Sequence, residues 1–145
     1  MTDFLLREVE HGSPAYWASV ELRDSVLRKP LGLRFSPQEL AAERESRHIA
    51  CYRGDALVGC LVLVPGAGGD IRMKQVAVLP DLQGQGVGKA LVEYSEALAR
   101  RLGFTRMVLH ARETAVPFYE KLGYSRFGER FQEVTIPHWA MDKGL

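Results

Sequence analysis

The chain has 145 residues, 46% hydrophobic and 26% charged, with a net charge of +1. That size fits one domain, residues 1–145, whose core needs no metal or disulfide staples. The mixed charge excludes the basic footprint of a nucleic-acid binder and a polybasic membrane patch, so any bound polyanion must be gripped locally.

The opening MTDFLLREVEHG lacks the basic and long apolar regions of a signal peptide. The longest apolar run, Leu57 to Pro65, is too short to cross a bilayer. Cys51 and Cys60 sit in apolar runs and read as small buried hydrophobes rather than a disulfide, so a reducing cytoplasm is the simplest location.

Phe4 to Val9 reads as a first strand. Ser13-Pro14 is a helix start, and Tyr16, Trp17, Val20, Val26 and Leu27 follow at helical spacing until Pro30 stops the helix. Ser36-Pro37-Gln38-Glu39 opens a second helix with a capping box. The charged run Glu43 to Arg47 reads as its solvated end. His48 to Tyr52 and Ala56 to Val64 are strands joined by a tight turn at Arg53-Gly54-Asp55, and Ile71 to Leu79 continues the meander after PGAGGD. The clearest helix carries Val87, Ala90, Leu91, Tyr94, Leu98 and Leu102 on one stripe and stops at Gly103. Met107 to Leu109 is a strand parallel to the one before that helix. A short helix, Ala115 to Leu122, precedes two strands, Ser125 to Glu133 and Ile136 to Met141. The predicted order is β-α-α-β-β-β-α-β-α-β-β, an α+β fold with a mixed, mostly antiparallel sheet.

The stretch LPDLQGQGVGKAL joins the third of the meander strands to the long helix. A nucleotide P-loop would need glycine where Gln83 stands and a metal-binding hydroxyl where Ala90 stands. A dinucleotide fingerprint would need its third glycine at Lys89. Glycines that merely let a helix pack closely are a third option. The pattern Q/R-x-x-G-x-G/A fits at every position of Gln83-Gly84-Gln85-Gly86-Val87-Gly88. Successive N–H groups opening a helix, freed by glycines to approach an anion and helped by the helix dipole, suit a pyrophosphate without a metal.

QVAVLPDLQGQGVGKALVEY resembles the acyl-CoA-binding motif of the GNAT superfamily of N-acetyltransferases, and TAVPFYEKLGY resembles that family's second motif. The ending FQEVTIPHWAM, with LHAR before the second motif, further resembles the ElaA-like branch. The resemblance implies acetyl-CoA, with no metal, in a V-shaped opening between the two parallel strands. It implies that Val76, Ala77 and Val78 offer their backbone to the pantetheine arm, with the Val78 N–H aimed at the thioester carbonyl. Gln83, Gly84, Gln85, Gly86, Val87, Gly88 and Lys89 would take the pyrophosphate, and Tyr119 would protonate the leaving thiolate.

The family often places a carboxylate base on the strand before the loop; here that strand reads Arg72-Met73-Lys74-Gln75. A water relay, or Glu133 or His138 beside the last turn, is left as the base, with His110 a third choice. Arg112 stands where the family often has asparagine, and can reach a cofactor phosphate or carbonyl or remain in solvent. Arg23, Arg28 and Arg34 are candidates for an acceptor pocket that takes an acidic substrate. Neither cysteine lies near the expected site, which argues against a cysteine acyl-enzyme. The expected partners are a small amine or a peptide, with no nucleic acid or membrane, and a homodimer is plausible by analogy. A catalytically silent acyl-CoA-binding module is the alternative; a kinase is disfavoured by Gln83 and Ala90.

Overall fold

In the computed structural model, which describes residues 3–145, the elements follow the predicted order. They are β1 (Leu5–Val9), α1 (Pro14–Arg23), α2 (Pro37–Ala42), β2 (Arg47–Arg53), β3 (Ala56–Pro65), β4 (Asp70–Val78), α3 (Val87–Arg101), β5 (Arg106–Arg112), α4 (Val116–Lys121), β6 (Ser125–Glu133) and β7 (Ile136–Gly144). Met1 and Thr2, which open the stretch read above as lacking a signal peptide, lie outside the described residues. Seven strands form one sheet in the order β1-β2-β3-β4-β5-β7-β6. Every neighbouring pair is antiparallel except β4 and β5.

The helix starts form as the caps dictate. The Ser13 hydroxyl accepts from the Tyr16 N–H ahead of Pro14, and Ser36 and Glu39 make a reciprocal capping box. The end of α1 differs from expectation. The chain leaves α geometry after Arg23, winds through a π turn (Asp24–Arg28) and a 3-10 turn (Lys29–Leu31), and stops at Gly32 with φ +70°. Pro30 lies inside that last turn, where its missing N–H costs nothing; the stop needs the left-handed glycine.

Two cores flank the sheet. On one face α3 buries Val87, Leu91, Val92, Leu98 and Ala99 against Ile49, Leu61, Leu63, Ile71 and Met73. Gly59 permits this closeness, because a Cβ there would stand 2.7 Å from Val87. On the other face Leu22, Cys60 and Ala77 gather Val26 and Leu27. Cys51 and Cys60 belong to different cores and are free thiols. Trp17 and Leu102, placed on apolar stripes by spacing, are instead exposed.

The sheet opens where β4 and β5 diverge. Their parallel register runs from Asp70↔Arg106 to Met73↔Leu109 and stops, although both strands continue. The cause lies on the other side of β4. Cys60 pairs with Ala77 and Val62 with Lys74, so β4 carries one extra residue. Gln75 takes φ +54° there, a left-handed conformation unusual for a side chain of its size. The bulge turns the end of β4 away from β5 and makes the expected V-shaped opening.

Candidate active site

The opening forms a cleft of about 820 Å³. Its walls come from β4, the glycine loop, β5, α4, the β6–β7 turn and the segment after α1.

The glycine loop supplies one end. Gly84 and Gly86 hold φ +81° and +94°. The N–H groups of Gln83 and Gln85 bond to Pro80 and Leu82, whereas those of Gly84, Gly86, Val87, Gly88 and Lys89 find no partner among the described residues. Gly86 caps α3 without a side-chain bond. A Cβ on Gly88 would meet the Phe118 ring at 3.1 Å. Free donors at the start of a 15-residue helix are what an anionic pyrophosphate requires. Gln83, Gly84, Gly86, Gly88 and Lys89 face the cleft; the Gln85 side chain turns back to Asp81, and the Val87 side chain is buried in the core. For Val87 only a backbone role is compatible with the geometry, and for Gln85 both the N–H and the side-chain amide are already engaged, with Leu82 and Asp81.

The end of β4 supplies a second set of groups. The Leu79 N–H bonds to Val58 O at 3.0 Å, which makes that pair a hydrogen-bonded one in the antiparallel ladder. Alternation then makes Gly59↔Val78 a non-bonded pair, so the Val78 N–H points away from β3 and into the opening. Ala77 falls on the bonded pair with Cys60, and its side chain is buried in the second core. Val76 and Val78 line the cleft, whereas the Ala77 side chain lies on the opposite face of the sheet. The physical reason is the period of two along a strand.

Tyr119 on α4 reaches the cleft from the α3 side of the sheet and is 7% exposed. Burial pushes its phenol up to about 12, so it keeps its proton at any ordinary pH. The neighbouring Tyr124 has its hydroxyl committed to Glu96 at 2.8 Å.

Opposite stands a cluster of His110, Glu133 and His138. His138 Nδ1 lies 2.7 Å from Ile136 O and therefore donates to it, leaving Nε2 as the lone-pair nitrogen. Nε2 is 3.6 Å from the Glu133 carboxylate, too far for a hydrogen bond, and the contact is an ion pair only when the ring is protonated. The other Glu133 oxygen lies 3.0 Å from His110 Nδ1, which is also 3.1 Å from the Arg72 guanidinium. All three candidate bases thus meet, and β5 carries His110 inside the strand, which runs on to Arg112 rather than ending there. Arg112 lines the cleft as well.

The arginine candidates divide. Arg28 lines the cleft, bonded to Glu39. Arg34 does not line the cleft. Arg23 is 1% exposed and pairs with Glu43 through two bonds, 2.7 and 2.8 Å. Glu43, expected in a solvated run, is buried too, and takes a further bond from the Tyr16 hydroxyl at 2.7 Å. Burial alone would raise the Glu43 carboxyl, but the bonds and charge of Arg23 and the Tyr16 bond hold it below its usual range. A run of alternating charge hides this pairing, because the partner lies 20 residues earlier.

Sequence reading also passes over Arg72, Gln75 and the apolar wall of Val26, Leu27, Leu31 and Leu33. The signal available was a polar run, Arg72, Lys74 and Gln75, inside a central strand of an otherwise apolar sheet.

A mixed sheet split by a bulge, with a donor-rich helix start at the split, defines an acyl-CoA-binding transferase fold. Comparison with known proteins agrees. The model of the acetyltransferase (GNAT) family matches residues 13–124. The uncharacterized N-acetyltransferase YjcF of Bacillus subtilis is 35% identical over 104 residues, covering 70% of this chain and 72% of its own. A Lactobacillus plantarum structure provisionally assigned as an N-acetyltransferase superposes with a TM-score of 0.83 at 27% identity, covering 97% of this chain and 98% of that one. Escherichia coli ElaA (TM-score 0.82, 19% identity, 97% and 99% covered) shares the fold. So does an aminoglycoside 6'-N-acetyltransferase complexed with coenzyme A (TM-score 0.81, 19% identity, 97% and 96% covered). The chain belongs to the GNAT acetyltransferase family. Acetyl-CoA is the family's acyl donor, and the free N–H groups of the loop fit its pyrophosphate.

Proposed function

We propose that this protein moves an acetyl group from acetyl-CoA directly to an amine held in the same cleft. The observation that carries the proposal is convergence. The donor-rich loop, the Val78 N–H, a protonated Tyr119 and the Glu133–His138 pair all border one opening.

Bound acetyl-CoA supplies an activated thioester. Gly84, Gly86, Val87, Gly88 and Lys89 hold its pyrophosphate through their N–H groups, with Gln83 and Arg112 beside them. The Val78 N–H is a fixed donor for charge developing on the acyl oxygen. His138 Nε2 or the Glu133 carboxylate takes the proton that the acceptor amine must lose, and Tyr119 Oη gives one to the leaving sulfur. One C–N bond forms, one C–S bond breaks, and the proton on the base returns to solvent while Tyr119 is reprotonated. Both cysteines lie buried in the cores, and burial raises their thiols, to about 11 for Cys51 and about 12 for Cys60. That supports direct transfer over a cysteine acyl-enzyme, and buried free thiols also support a reducing, cytoplasmic location. The β6 edge, with Phe127 exposed, supports pairing with a second copy; a purely monomeric sedimentation profile would remove that pairing from the account.

Thermal shift tests the cofactor and thiol release tests the transfer. Acetyl-CoA should raise the melting temperature and ATP should not, and amines should release free CoA. Stabilisation by ATP alone contradicts the proposal. Stabilisation by acetyl-CoA without turnover on any amine points to the silent binding module.

A further inference from the structure

The bulge in β4 does more than separate β4 from β5. Strand alternation puts Arg72 and Lys74 on one face of β4, opposite Val64 and Val62. The extra residue brings Gln75 onto that same face, toward α1.

Gln75 is gripped there. Its Oε1 accepts from Arg23 Nη1 at 2.7 Å. Arg23 is itself fixed by Glu43, and Phe35 lies against its guanidinium at 5.0 Å. An amide whose oxygen is bound by a guanidinium can be oriented only one way. Its NH2 end is then a donor with no partner among the described residues, on a residue that lines the cleft. Arg72 lines the same wall of the cleft, with its Nε buried and without a partner among the described residues. His110 Nδ1 lies within reach of both the Arg72 guanidinium and Glu133 and bonds one or the other according to its tautomer, so the donors of β4 border the proposed base. Facing them are the apolar side chains of Leu27, Leu31 and Leu33.

We propose, resting on the acetyl-transfer reading, that Gln75 is a specificity-determining residue of the acceptor site. Its side-chain N–H donates to a carbonyl or carboxylate oxygen carried within a few atoms of the acceptor amine. The acceptor class is an amino-carbonyl compound with an apolar body, either a free amino acid derivative or a peptide N-terminus. Arg23 and Glu43 are positioning residues that hold the amide in this orientation.

The test compares phenylalaninamide with phenethylamine, which lacks only the carboxamide. In protein saturated with CoA, the Gln75 side-chain NH2 signals are assigned by their loss in Gln75→Met. Phenylalaninamide should shift them and phenethylamine should not. In turnover, wild type should prefer the amide by about tenfold in kcat/KM, the worth of one hydrogen bond. Gln75→Met should erase that preference while acetyl-CoA affinity stays within about twofold, because the loop is untouched. NH2 signals unmoved by phenylalaninamide up to its solubility limit, or a preference that survives in Gln75→Met, overturns the inference. Phenylalanine and a Phe-Ala dipeptide, run alongside, separate a free amino acid from a peptide end. Failure of acetyl-CoA to bind at all would instead strike the acetyl-transfer reading, so the two failures are distinct.

Discussion

At the scale of single residues the chemistry rests on where protons sit. Tyr119 is held neutral by burial, with its phenol near 12, which suits a group that must hand over a proton and take it back. Tyr119→Phe keeps the ring packed against Phe118 and Tyr124 and removes only the hydroxyl. It should lower kcat by about a hundredfold and leave acetyl-CoA affinity nearly unchanged, as read by steady-state kinetics and calorimetry. Equal loss of affinity and turnover would make Tyr119 a packing residue. The glycines were readable because their spacing at a helix start carries a physical reason, whereas Tyr119 was singled out only by the resemblance of TAVPFYEKLGY to a family motif. His138 and Glu133 were legible as candidates only: nothing in FQEVTIPHWAM says that Nδ1 donates to Ile136 and leaves Nε2 with the lone pair. That depends on turn geometry, where Val134 and Thr135 both adopt positive φ.

At the scale of elements the bulge in β4 decides the architecture, and a buried ion pair from two helical segments braces it. Arg23 leaves α1 and Glu43 follows α2, and they meet over Gln75. Breaking such a pair from one side leaves a buried charge and costs about 3–5 kcal/mol. Arg23→Met should therefore lower stability to urea by about that amount, and Arg23→Met with Glu43→Gln should recover some of the loss. A double variant as unstable as the sum of the single ones would show that the two residues are not coupled. Element order was readable from caps, glycines and periodicity, because those signals are local. The bulge was not: its register is set between Cys60 and Val62 on one strand and Lys74 and Ala77 on the next, and no local pattern marks it. The same holds for Glu43, whose neighbours in sequence are charged and exposed while its partner is distant.

At the scale of the whole molecule the buried titratable groups bracket the stable pH range. Burial lowers the His48 imidazole below its ordinary value of 6.5, outweighing the Glu43 carbonyl and charge that favour protonation. Folding thus binds fewer protons than the unfolded chain, and stability present above pH 6.5 is lost as the pH falls. Glu43, also held low, adds to the loss below its usual 4.5. On the alkaline side burial raises Tyr119, and burial with the Glu43 contacts raises Tyr16, each from 10.0 to about 12. Stability from these phenols is complete below pH 10 and is lost as the pH rises toward 12. The buried Cys51 and Cys60 thiols, raised from 9.0 to about 11 and about 12, start that loss earlier, so urea melts across pH should show a plateau between about 7 and 9 that falls on both sides. Replacing His48 with Gln should blunt the acid limb between 6.5 and 4.5. An acid limb unchanged in that variant would place the proton uptake elsewhere.

The central claim is direct transfer between two ligands held together in one cleft. Initial rates measured while acetyl-CoA and an amine acceptor are varied together test it most directly. Direct transfer predicts double-reciprocal lines that intersect, with CoA released only when acceptor is present. Parallel lines, or a burst of CoA from acetyl-CoA alone, would mean that the acetyl group first rests on the protein, and would contradict it.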